Sequence, residues 1–518
     1  MNFLKLFLSV NFLIFFLSLQ GQVLVQDLNP GLGNAVQDYG TKSIQIGDKI
    51  FFIASADGVQ EGLYVFSNNK IEFLKEMCSS CPTSSQLFLH NGKLYFTNKE
   101  NSKFKIYETD GTKDNVNLVI EINQSFYGTN VIPSGNKLYF NEENVGIHVL
   151  ENGIDKIIPG TKNLNLNTDN SPDKNRALVD GDKLLVISKP KSDSLALYEI
   201  TDKVVTLGKL KVEFGSDYQY GLKKVKNGYI CVYDGDLINY NASNKTLAPL
   251  NLSSITGRIL SVLDFKPNQP MLYVYNDGIF VINDTENVSV SKISDIWDSV
   301  LQDSEFAKAY YNNKMLLLTS DFNTSFKDYA LLTDGTKAGT IATKVPSYTS
   351  SLVQKDQHVF FASGITNGYE PSIYYFDMAK TAPVVIKAFT ESSNNFTSII
   401  PIGIIGTKLY YFSNLDTKYG RELYYIETGI KTQTNDYDLS SNDYYTLNSN
   451  GTNFTIQTNS NETEQINITL IDINGRIINK FDSRTDEAFS IPLKNQVVFV
   501  SVESSQKTNK CFFKTISF

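Results

Sequence analysis

The sequence has little of what most active sites and metal sites are built from. Its 518 residues include three histidines, four cysteines and a single tryptophan. It contains no Gly-rich phosphate loop, no His-Glu-x-x-His motif and no Gly-x-Ser-x-Gly motif. The commonest nucleotide-binding, zinc-protease and hydrolase signatures are therefore excluded. Helical hydrophobic periodicity is almost absent, which argues against helical fold classes.

Positive charge is also in short supply. The 47 lysines and arginines are outnumbered by 55 aspartates and glutamates, which gives a formal net charge of −8 at pH 7. Because a phosphate backbone is bound through a basic surface, we expect no nucleic-acid partner. What the chain has in abundance favours strands: 29 tyrosines and 33 phenylalanines, whose rings fit a pleated surface.

The one long apolar run lies at the N-terminus. Lys5 precedes an apolar run over residues 6–19, which is followed by Gln20-Gly21-Gln22. This pattern predicts a secretory signal peptide over residues 1–21. A membrane anchor is the alternative, but the run is short for a span and lacks a basic flank after it. We therefore expect a secreted or outer-membrane-surface protein with no stable transmembrane segment.

The cysteines are Cys78, Cys81, Cys231 and Cys511. In an exported protein, Cys78 and Cys81 could close a small loop as a disulfide. A metal site would need two further ligands nearby, and a redox role would need surroundings that lower a thiol pKa. The Ser-rich turn around the pair supplies neither, so the structural disulfide is the preferred interpretation.

A turn unit recurs along the chain. Its two close copies lie between apolar runs and read Thr109-Asp110-Gly111-Thr112 and Thr333-Asp334-Gly335-Thr336. Asp-Gly in this setting predicts a tight hairpin turn, because glycine accepts the positive φ that such a turn requires. The recurrence indicates a repeat architecture rather than a single local turn.

A second landmark, a turn followed by a mostly apolar strand, alternates with these hairpins. It occurs nine times, near Gly47, Gly92, Gly135, Gly181, Asn227, Pro270, Asn313, Gln357 and Gly406. A period of about 45 residues with about four short strands is typical of a propeller blade. We predict an all-β fold with a β-propeller of about 7–9 four-stranded blades over residues 22–430. The units at Asn227 and Pro270 are the weakest members.

The two ends of the repeat region are each incomplete. Residues 23–28 have no preceding hairpin, and the hairpin at residues 422–428 has no outer strand after it. We expect these segments to pair, because the N-terminal strand would then complete the last blade and remove an exposed sheet edge.

These residues resemble a known family. Three features are similar to the ELWxxDGT repeats of exported bacterial proteins: the two Thr-Asp-Gly-Thr turns, the strand Glu422-Leu423-Tyr424, and the opening Val25-Gln26-Asp27-Leu28-Asn29-Pro30-Gly31. The match is close at Thr109 and Thr333 and weaker over the rest of residues 22–430. The resemblance implies a propeller and no particular activity.

The composition becomes polar after residue 430, which predicts a linker over residues 431–461. A small antiparallel β-sandwich is expected over residues 462–518, with an alternative start of its first strand near residue 444. The run Ile471-Asp472-Ile473-Asn474-Gly475-Arg476 and the closing Lys514-Thr515-Ile516 resemble the C-terminal sorting domain of the Bacteroidetes type IX secretion system. The resemblance implies that Asn474, Gly475, Arg476 and Lys514 form the sorting motif, and that this secretion machinery is a partner.

Candidate chemical residues are few. His90, His148 and His358 occupy repeat positions, where packing is the preferred interpretation. The acidic turns at residues 180–182 and 234–236 could bind Ca²⁺, but a turn role is preferred because no complete calcium loop is present. We therefore assign no catalytic, cofactor-binding or metal residues, and keep Ca²⁺ as the alternative.

Two function classes follow. The preferred one is a non-enzymatic secreted or cell-surface module whose loops bind an extracellular protein or glycan. The alternative is an extracellular glycan-active hydrolase or lyase with acids in the propeller channel. The single tryptophan and three histidines weigh against the alternative. Sugars commonly stack on aromatic rings, and glycosidases need a placed pair of carboxylates.

Overall fold

The computed structural model describes residues 22–29, 34–36, 42–56, 59–78, 86–101, 103–122, 131–142, 144–164, 166, 176–191, 193–212, 219–283, 285, 287–296, 307–321, 327–345, 348–363, 372–380, 384–388, 399–414, 420–428, 445–450, 453–458, 465–472, 477–485, 487–490, 496–504 and 510–517. These residues form β-strands, turns and one 3-10 turn at Lys113–Asn115, without an α-helix. The chain divides into two compact units, Met1–Ile430 and Lys431–Phe518. No helix in the described ranges has the length and hydropathy needed to span a membrane.

The first unit contains nine four-stranded antiparallel sheets, numbered here as blades 1 to 9. Blade 1 contains β2 (Ser43–Ile46), β3 (Lys49–Ala56), β4 (Val59–Ser67) and β5 (Lys70–Glu76). Blade 2 contains β6 (Leu87–His90), β7 (Lys93–Glu100), β8 (Lys103–Thr109) and β9 (Val116–Ile122). Blade 3 contains β10 (Ile132–Ser134), β11 (Lys137–Glu142), β12 (Gly146–Glu151) and β13 (Ile154–Ile157). Blade 4 contains β14 (Ala177–Asp180), β15 (Lys183–Lys191), β16 (Ser194–Ile200) and β17 (Val204–Lys211).

The remaining blades follow the same order. Blade 5 contains β18 (Gln219–Val225), β19 (Gly228–Tyr233), β20 (Asp236–Asn241) and β21 (Thr246–Pro249). Blade 6 contains β22 (Ile259–Lys266), β23 (Gln269–Val274), β24 (Gly278–Ile282) and β25 (Val290–Ser294). Blade 7 contains β26 (Lys308–Tyr311), β27 (Lys314–Asp321), β28 (Lys327–Thr333) and β29 (Ile341–Val345). Blade 8 contains β30 (Tyr348–Lys355), β31 (His358–Ser363), β32 (Ser372–Asp377) and β33 (Val384–Ala388). Blade 9 contains β34 (Ile399–Ile405), β35 (Lys408–Ser413), β36 (Glu422–Glu427) and, from the N-terminus, β1 (Val23–Gln26).

The predicted β-propeller is confirmed, at the upper end of the predicted range of blade number. The two weakest repeat units, at Asn227 and Pro270, form the complete blades 5 and 6. In each blade the first strand lies innermost, because the first strands of neighbouring blades contact one another, as β14 contacts β18 and β18 contacts β22.

The hydrophobic core of the propeller lies between blades. In the described residues, nine clusters of buried side chains each draw on two neighbouring blades. An open row of nine sheets would have one interface fewer than it has blades, so the ninth cluster shows that the ring is closed. That closing cluster joins blade 9 to blade 1, where the ring centroids of Phe52 and Phe412 are 5.4 Å apart.

The predicted pairing of the chain's two ends is confirmed. Strand β1 is antiparallel to β36, with Val23 opposite Tyr425 and Leu24 opposite Tyr424. The segment after β1 adds further contacts to blade 9. The amide of Leu28 donates to Glu422 Oε2 at 2.6 Å, and Arg421 Nη1 donates to the carbonyl of Val36 at 2.8 Å.

Glutamine side chains link the inner strands of three pairs of neighbouring blades. The amide group of Gln45 accepts a hydrogen bond from the Ile404 N–H at 2.8 Å and donates to the Ile404 carbonyl at 2.5 Å. Gln86 makes the same two contacts with Val131, and Gln354 makes them with Tyr310. A carboxamide has the same donor and acceptor as a peptide group, so it can satisfy the free edge of an inner strand.

The described residues of the second unit form two antiparallel sheets. One has the order β37 (Tyr445–Asn450), β38 (Asn453–Thr458) and β41 (Ala488–Ser490). The other has the order β40 (Ile477–Arg484), β39 (Gln465–Asp472), β42 (Gln496–Ser504) and β43 (Lys510–Ser517). Strands β37 and β38 occupy part of the stretch for which the polar composition predicts a linker, and they start at the alternative position near residue 444. The fully buried Ile456 on β38 explains why this polar segment can pack as a sheet.

A buried carboxyl group lies where the ends of the propeller meet. Glu422 is fully buried, and one of its carboxyl oxygens, Oε1, has no hydrogen-bond partner. Burial, with a smaller contribution from the Asp27 carboxylate, raises the pKa of Glu422 to about 8, although the Leu28 amide favours the charged form. An unfolded glutamate has a pKa of about 4.3. Between these two values the folded chain holds a proton that the unfolded chain has lost.

We therefore expect the free energy of unfolding to fall as the pH rises from about 5 to about 8. Glu422→Gln is uncharged at every pH, so it should reduce this dependence by at least about 1 kcal/mol, roughly the value of one pKa unit. Urea denaturation midpoints at the two pH values measure the effect.

Glu100→Gln is the control with the opposite sign. Partial burial would raise the pKa of Glu100, but hydrogen bonds from Lys105, Lys75 and Tyr107 outweigh it and lower the pKa to about 2. The stability contributed by Glu100 is present above the unfolded pKa of about 4.3 and is lost as the pH falls towards about 2. Glu100→Gln should thus lower stability by a constant amount between pH 5 and 8, and change the pH dependence of unfolding only in acid. A Glu422→Gln variant with an unaltered slope between pH 5 and 8 would contradict the assignment.

Candidate functional site

The predicted repeat turns are loops whose first four residues are linked by side-chain hydrogen bonds. Asp110 Oδ1 accepts hydrogen bonds from the amide and hydroxyl of Thr112, both at 2.8 Å, and Thr109 Oγ1 accepts one from the Gly111 amide at 2.9 Å. Thr333, Asp334, Gly335 and Thr336 repeat the same three contacts. Each loop is longer than the two-residue hairpin that Asp-Gly predicts, since the next strands begin only at Val116 and Ile341.

These turns contact the preceding blade. Lys49 Nζ of blade 1 donates to the Asp110 carbonyl of blade 2 at 2.6 Å, and Lys266 Nζ of blade 6 donates to the Asp334 carbonyl of blade 7 at 2.6 Å. A Cβ at Gly335, where φ is +88°, would lie 2.5 Å from Cε1 of Phe265. The repeat turn therefore connects one blade to the preceding blade, and its glycine allows Phe265 to approach the turn closely.

The other predicted motif residues are only partly within the described ranges. Asn474, Gly475 and Arg476 lie outside them, and Lys514 lies on β43 opposite Phe499. Cys78 is disulfide-bonded, whereas Cys81 lies outside the described residues, so the predicted pairing of the two stays a prediction. Cys231 is a free, buried thiol.

The acidic turns considered for Ca²⁺ contact basic or hydroxyl groups of the next blade. Asp180 accepts hydrogen bonds from Lys224 Nζ at 2.7 Å and from the Tyr229 hydroxyl at 2.8 Å. Asp234 Oδ1 lies 3.3 Å from Arg258 Nη2. In the described part of the chain, no group of three or more His, Cys, Asp or Glu side chains could hold a metal ion. Ca²⁺ binding at these turns stays an alternative prediction.

Two of the three histidines lie in packed surroundings. His148 is 3% exposed and stacks on Phe140, with ring centroids 4.9 Å apart. Its Nδ1 lies 3.0 Å from Asp155 Oδ2, and its Nε2 lies 3.1 Å from Glu142 Oε2. His358 Nδ1 is 2.7 Å from the Tyr375 hydroxyl. Each of these two rings therefore contacts a neighbouring polar group.

The third histidine borders a crevice between blades 2 and 3. This blade 2–3 crevice has a volume of about 320 Å³ and opens beside the turns that join the first and second strands and the third and fourth strands. It is lined by His90, Asn91, Tyr95, Glu108, Asn117, Leu118, Val119, Asn136, Leu138, Leu150, Asn152 and Gly153. Its volume falls at the lower end of the range of small-molecule sites.

The charged groups of the blade 2–3 crevice are held in place by hydrogen bonds. Glu108 accepts from Lys93 Nζ and from the Tyr95 hydroxyl, each at 2.6 Å. Burial alone would raise the pKa of Glu108, but these two contacts outweigh it and lower the pKa below its usual value. Burial also lowers the pKa of His90, despite the nearby Glu108 carboxylate. The crevice therefore has a fixed carboxylate beside an imidazole that favours its neutral form.

Four asparagine amides complete the lining, and each can both donate and accept hydrogen bonds. Asn91 and Asn152 have positive φ angles of 50° and 51°, so they also serve as turn residues. No sequence pattern predicts this crevice, because its residues come from two blades and asparagine is common in hairpin turns. Of the candidate chemical residues that the sequence offers, His90 is the one in the crevice lining.

The alternative of an enzyme with acids in the propeller channel requires carboxylates on the inner strands. Their described residues include two acids, Asp180 and Asp264. Lys224 contacts Asp180 at 2.7 Å, and Lys223 contacts Asp264 at 2.7 Å. Each of these two carboxylates pairs with a lysine. They therefore do not favour a hydrolase or lyase, which needs a general acid and a general base, over a binding protein.

No protein-family model and no curated protein matches this chain. Among solved structures it is similar to PorZ, a surface component of the type IX secretion system of Porphyromonas gingivalis, with 10% identity, a TM-score of 0.28, and coverage of 93% of this chain and 75% of that chain. It is similar to BamB from Moraxella catarrhalis, with 10% identity, a TM-score of 0.34, and coverage of 78% and 100%. It is also similar to the β-propeller domain of the Trilobed protease from Pyrococcus furiosus, with 9% identity, a TM-score of 0.32, and coverage of 75% and 93%. Likeness at this level does not bear on what the chain binds.

The inter-blade role of the repeat turn predicts unequal effects of two substitutions within it. Gly335→Val should destabilise the protein more than Lys337→Val, by about 1–3 kcal/mol, because a branched side chain strains the positive φ. The new side chain would also meet Phe265, whereas Lys337 is exposed. Urea denaturation midpoints compare the two variants, and equal midpoints would refute the close approach.

Proposed function

We propose that this chain is an exported, non-enzymatic propeller protein that binds an extracellular glycan. The observation that carries the proposal is the blade 2–3 crevice, with its four asparagine amides, His90 and the fixed Glu108 carboxylate. A rigid scaffold that presents polar groups from loops is a common arrangement for binding sites.

The lining of the crevice favours a neutral sugar. Asparagine amides donate and accept at once, as sugar hydroxyls do, so the two sets of groups are complementary. Glu108 accepts from ring hydroxyls but would repel an anionic ligand. Leu118, which is 50% exposed, and Leu150 supply apolar wall for the C–H face of a ring. The volume of about 320 Å³ suits one or two sugar units.

Asn117→Ala tests this site, since Asn117 lies on strand β9 and its removal leaves the turns intact. We expect the unchanged chain to bind at least one of three neutral probes, the trisaccharides of β-linked glucose, α-linked glucose and mannose, in isothermal titration. Asn117→Ala should weaken that binding about tenfold, the value of roughly one hydrogen bond to a ligand.

Thr206→Ala is the matched control, because Thr206 is exposed on the outer strand β17 of blade 4. It should bind the probes as the unchanged chain does. Equal affinity of the Asn117→Ala and Thr206→Ala variants, or no binding of any neutral probe, would exclude this crevice as the site.

We further propose that the second unit is an export address read by the type IX secretion machinery. The proposal is supported by the resemblance of residues 471–478 and 514–518 to sorting domains. It is also supported by the antiparallel sheet that contains β39, β42 and β43. The closing strand β43 lies at the edge of that sheet, paired only with β42 among the described strands. An edge strand leaves backbone groups open for a partner.

In a bacterium with a type IX system, a chain that ends at residue 430 should stay in the periplasm, because the break falls between the two compact units. Residues 431–518, fused to a periplasmic reporter, should carry the reporter outside. Thermal unfolding of the truncated chain confirms that the propeller is intact, and cell fractionation measures its location. Normal surface amounts of the truncated chain would make the second unit an ordinary accessory domain.

A further inference from the structure

A second crevice, between blades 6 and 7, differs from the first in its chemistry. This blade 6–7 crevice has a volume of about 290 Å³ and is lined by residues 265–267 of blade 6 and residues 310–314 of blade 7. The two segments supply three aromatic rings, two lysines and two asparagines, and no carboxylate side chain. The lining is therefore basic, although the chain as a whole has a net charge of −8.

Both lysines of this crevice are held by main-chain carbonyls. Lys266 Nζ donates to the Asp334 carbonyl at 2.6 Å, and Lys314 Nζ donates to the Met378 carbonyl at 3.4 Å. Within the described ranges, neither ammonium forms an ion pair with a carboxylate. Lys93, by contrast, is 2.6 Å from Glu108 in the blade 2–3 crevice. An ammonium has three donors, so one carbonyl contact leaves it able to bind an anion as well.

Asp334, whose main-chain carbonyl accepts from Lys266, has its carboxylate bound elsewhere. Asp334 accepts from the amide and hydroxyl of Thr336, and these bonds lower the pKa of Asp334, with a smaller contribution from the positive charge of Lys266. Asp264, the other acid beside the crevice, pairs with Lys223 at 2.7 Å. The positive charge of the crevice is thus not cancelled by an acid in its lining.

An exposed tyrosine is held rigidly at the edge of the crevice. Tyr310 is 38% exposed, and its hydroxyl donates to the Asp264 carbonyl at 2.6 Å. Its backbone is fixed by Gln354, through contacts of 3.1 Å and 2.6 Å. A ring held at both ends loses little entropy when a ligand stacks on it. Aromatic faces are the usual stacking surface for sugar rings.

We propose that the blade 6–7 crevice binds a sugar residue that carries a carboxylate. The pyranose ring stacks on Tyr310, and the carboxylate pairs with the ammonium groups of Lys266 and Lys314. The amides of Asn312 and Asn313, on the exposed turn, contact the hydroxyls. This site extends the proposed glycan binding to an acidic sugar. It is separate from the blade 2–3 crevice, so either site can fail its test without the other.

The test uses saturation-transfer NMR on the full chain with three probes: D-glucuronate, D-glucose and acetate. D-glucuronate and D-glucose differ only at C6, so their comparison isolates the carboxylate, while acetate isolates the anion without the ring. We expect saturation transfer to D-glucuronate, little to D-glucose, and no displacement of D-glucuronate by an equal concentration of acetate. Binding should weaken as salt is added, because the lysines are partly exposed.

Two variants locate the site. Lys266→Met should weaken D-glucuronate binding about fivefold, the upper value for one exposed ion pair, and Tyr310→Leu should weaken it by a similar factor. Lys49→Met is the matched control, since Lys49 makes the same contact to a repeat-turn carbonyl, at 2.6 Å, in another interface. It should lower stability as Lys266→Met does but leave D-glucuronate binding unchanged.

Three results would overturn the proposal. Equal transfer to D-glucose would show that the carboxylate is not recognised, and full displacement by acetate would show a simple anion site. Equal loss of D-glucuronate binding in the Lys49→Met and Lys266→Met variants would show that reduced blade stability, and not a lost ligand contact, weakens the binding. Loss of neutral-trisaccharide binding in Asn117→Ala, with D-glucuronate binding retained, would show that the two crevices act independently.

Discussion

Each blade of this propeller has two apolar faces and can bury them only against its neighbours. Among the described residues, nine clusters of buried side chains occupy the nine gaps between blades, and each of the nine draws on two sheets. Nine blades without a closing contact would leave two apolar faces in water. The pairing of β1 with β36, together with the Phe52–Phe412 contact, removes that cost. Both crevices lie in such gaps, beside the turns.

The repeat turn has a structural meaning that its local sequence does not show. Lys49 and Lys266 each reach from one blade to a turn carbonyl of the next, and Phe265 packs where Gly335 has no side chain. The residues that mark the repeat in the sequence are therefore the residues that join neighbouring units. The ligand contacts that we propose, in contrast, use positions at which the blades differ, such as Asn117 and Tyr310. Because the residues that join the blades are not the residues that distinguish the crevices, the blades can keep one packing arrangement while the crevices differ in charge.

The fold was largely predictable because its signals are local. Alternating strands and Asp-Gly or Asn turns gave the blade type, and the missing strand at each end gave the pairing of residues 23–28 with residues 422–425. The crevices were not predictable. Glu108 and Asn152, for example, come from different blades, and their proximity depends on how those blades pack against each other. The raised pKa of Glu422 likewise depends on burial by a segment far away in the chain. Polar composition also hid β38, whose one buried isoleucine, Ile456, suffices to place it in a sheet.

The contact between Leu28 and Glu422 spans 394 residues of chain. The strands of blades 1 to 8 meet partners that are close in sequence, so their hairpins can form as soon as each segment is available. The last blade is complete only when β36 pairs with β1. This pairing closes the loop formed by the chain between them, which costs entropy before any contact is gained. We therefore expect the order of folding to run opposite to the order of the chain at this one point, with β1 the last of the propeller's described strands to pair. Until then the unpaired edge of β36 is open to any other extended strand, including one from a second molecule.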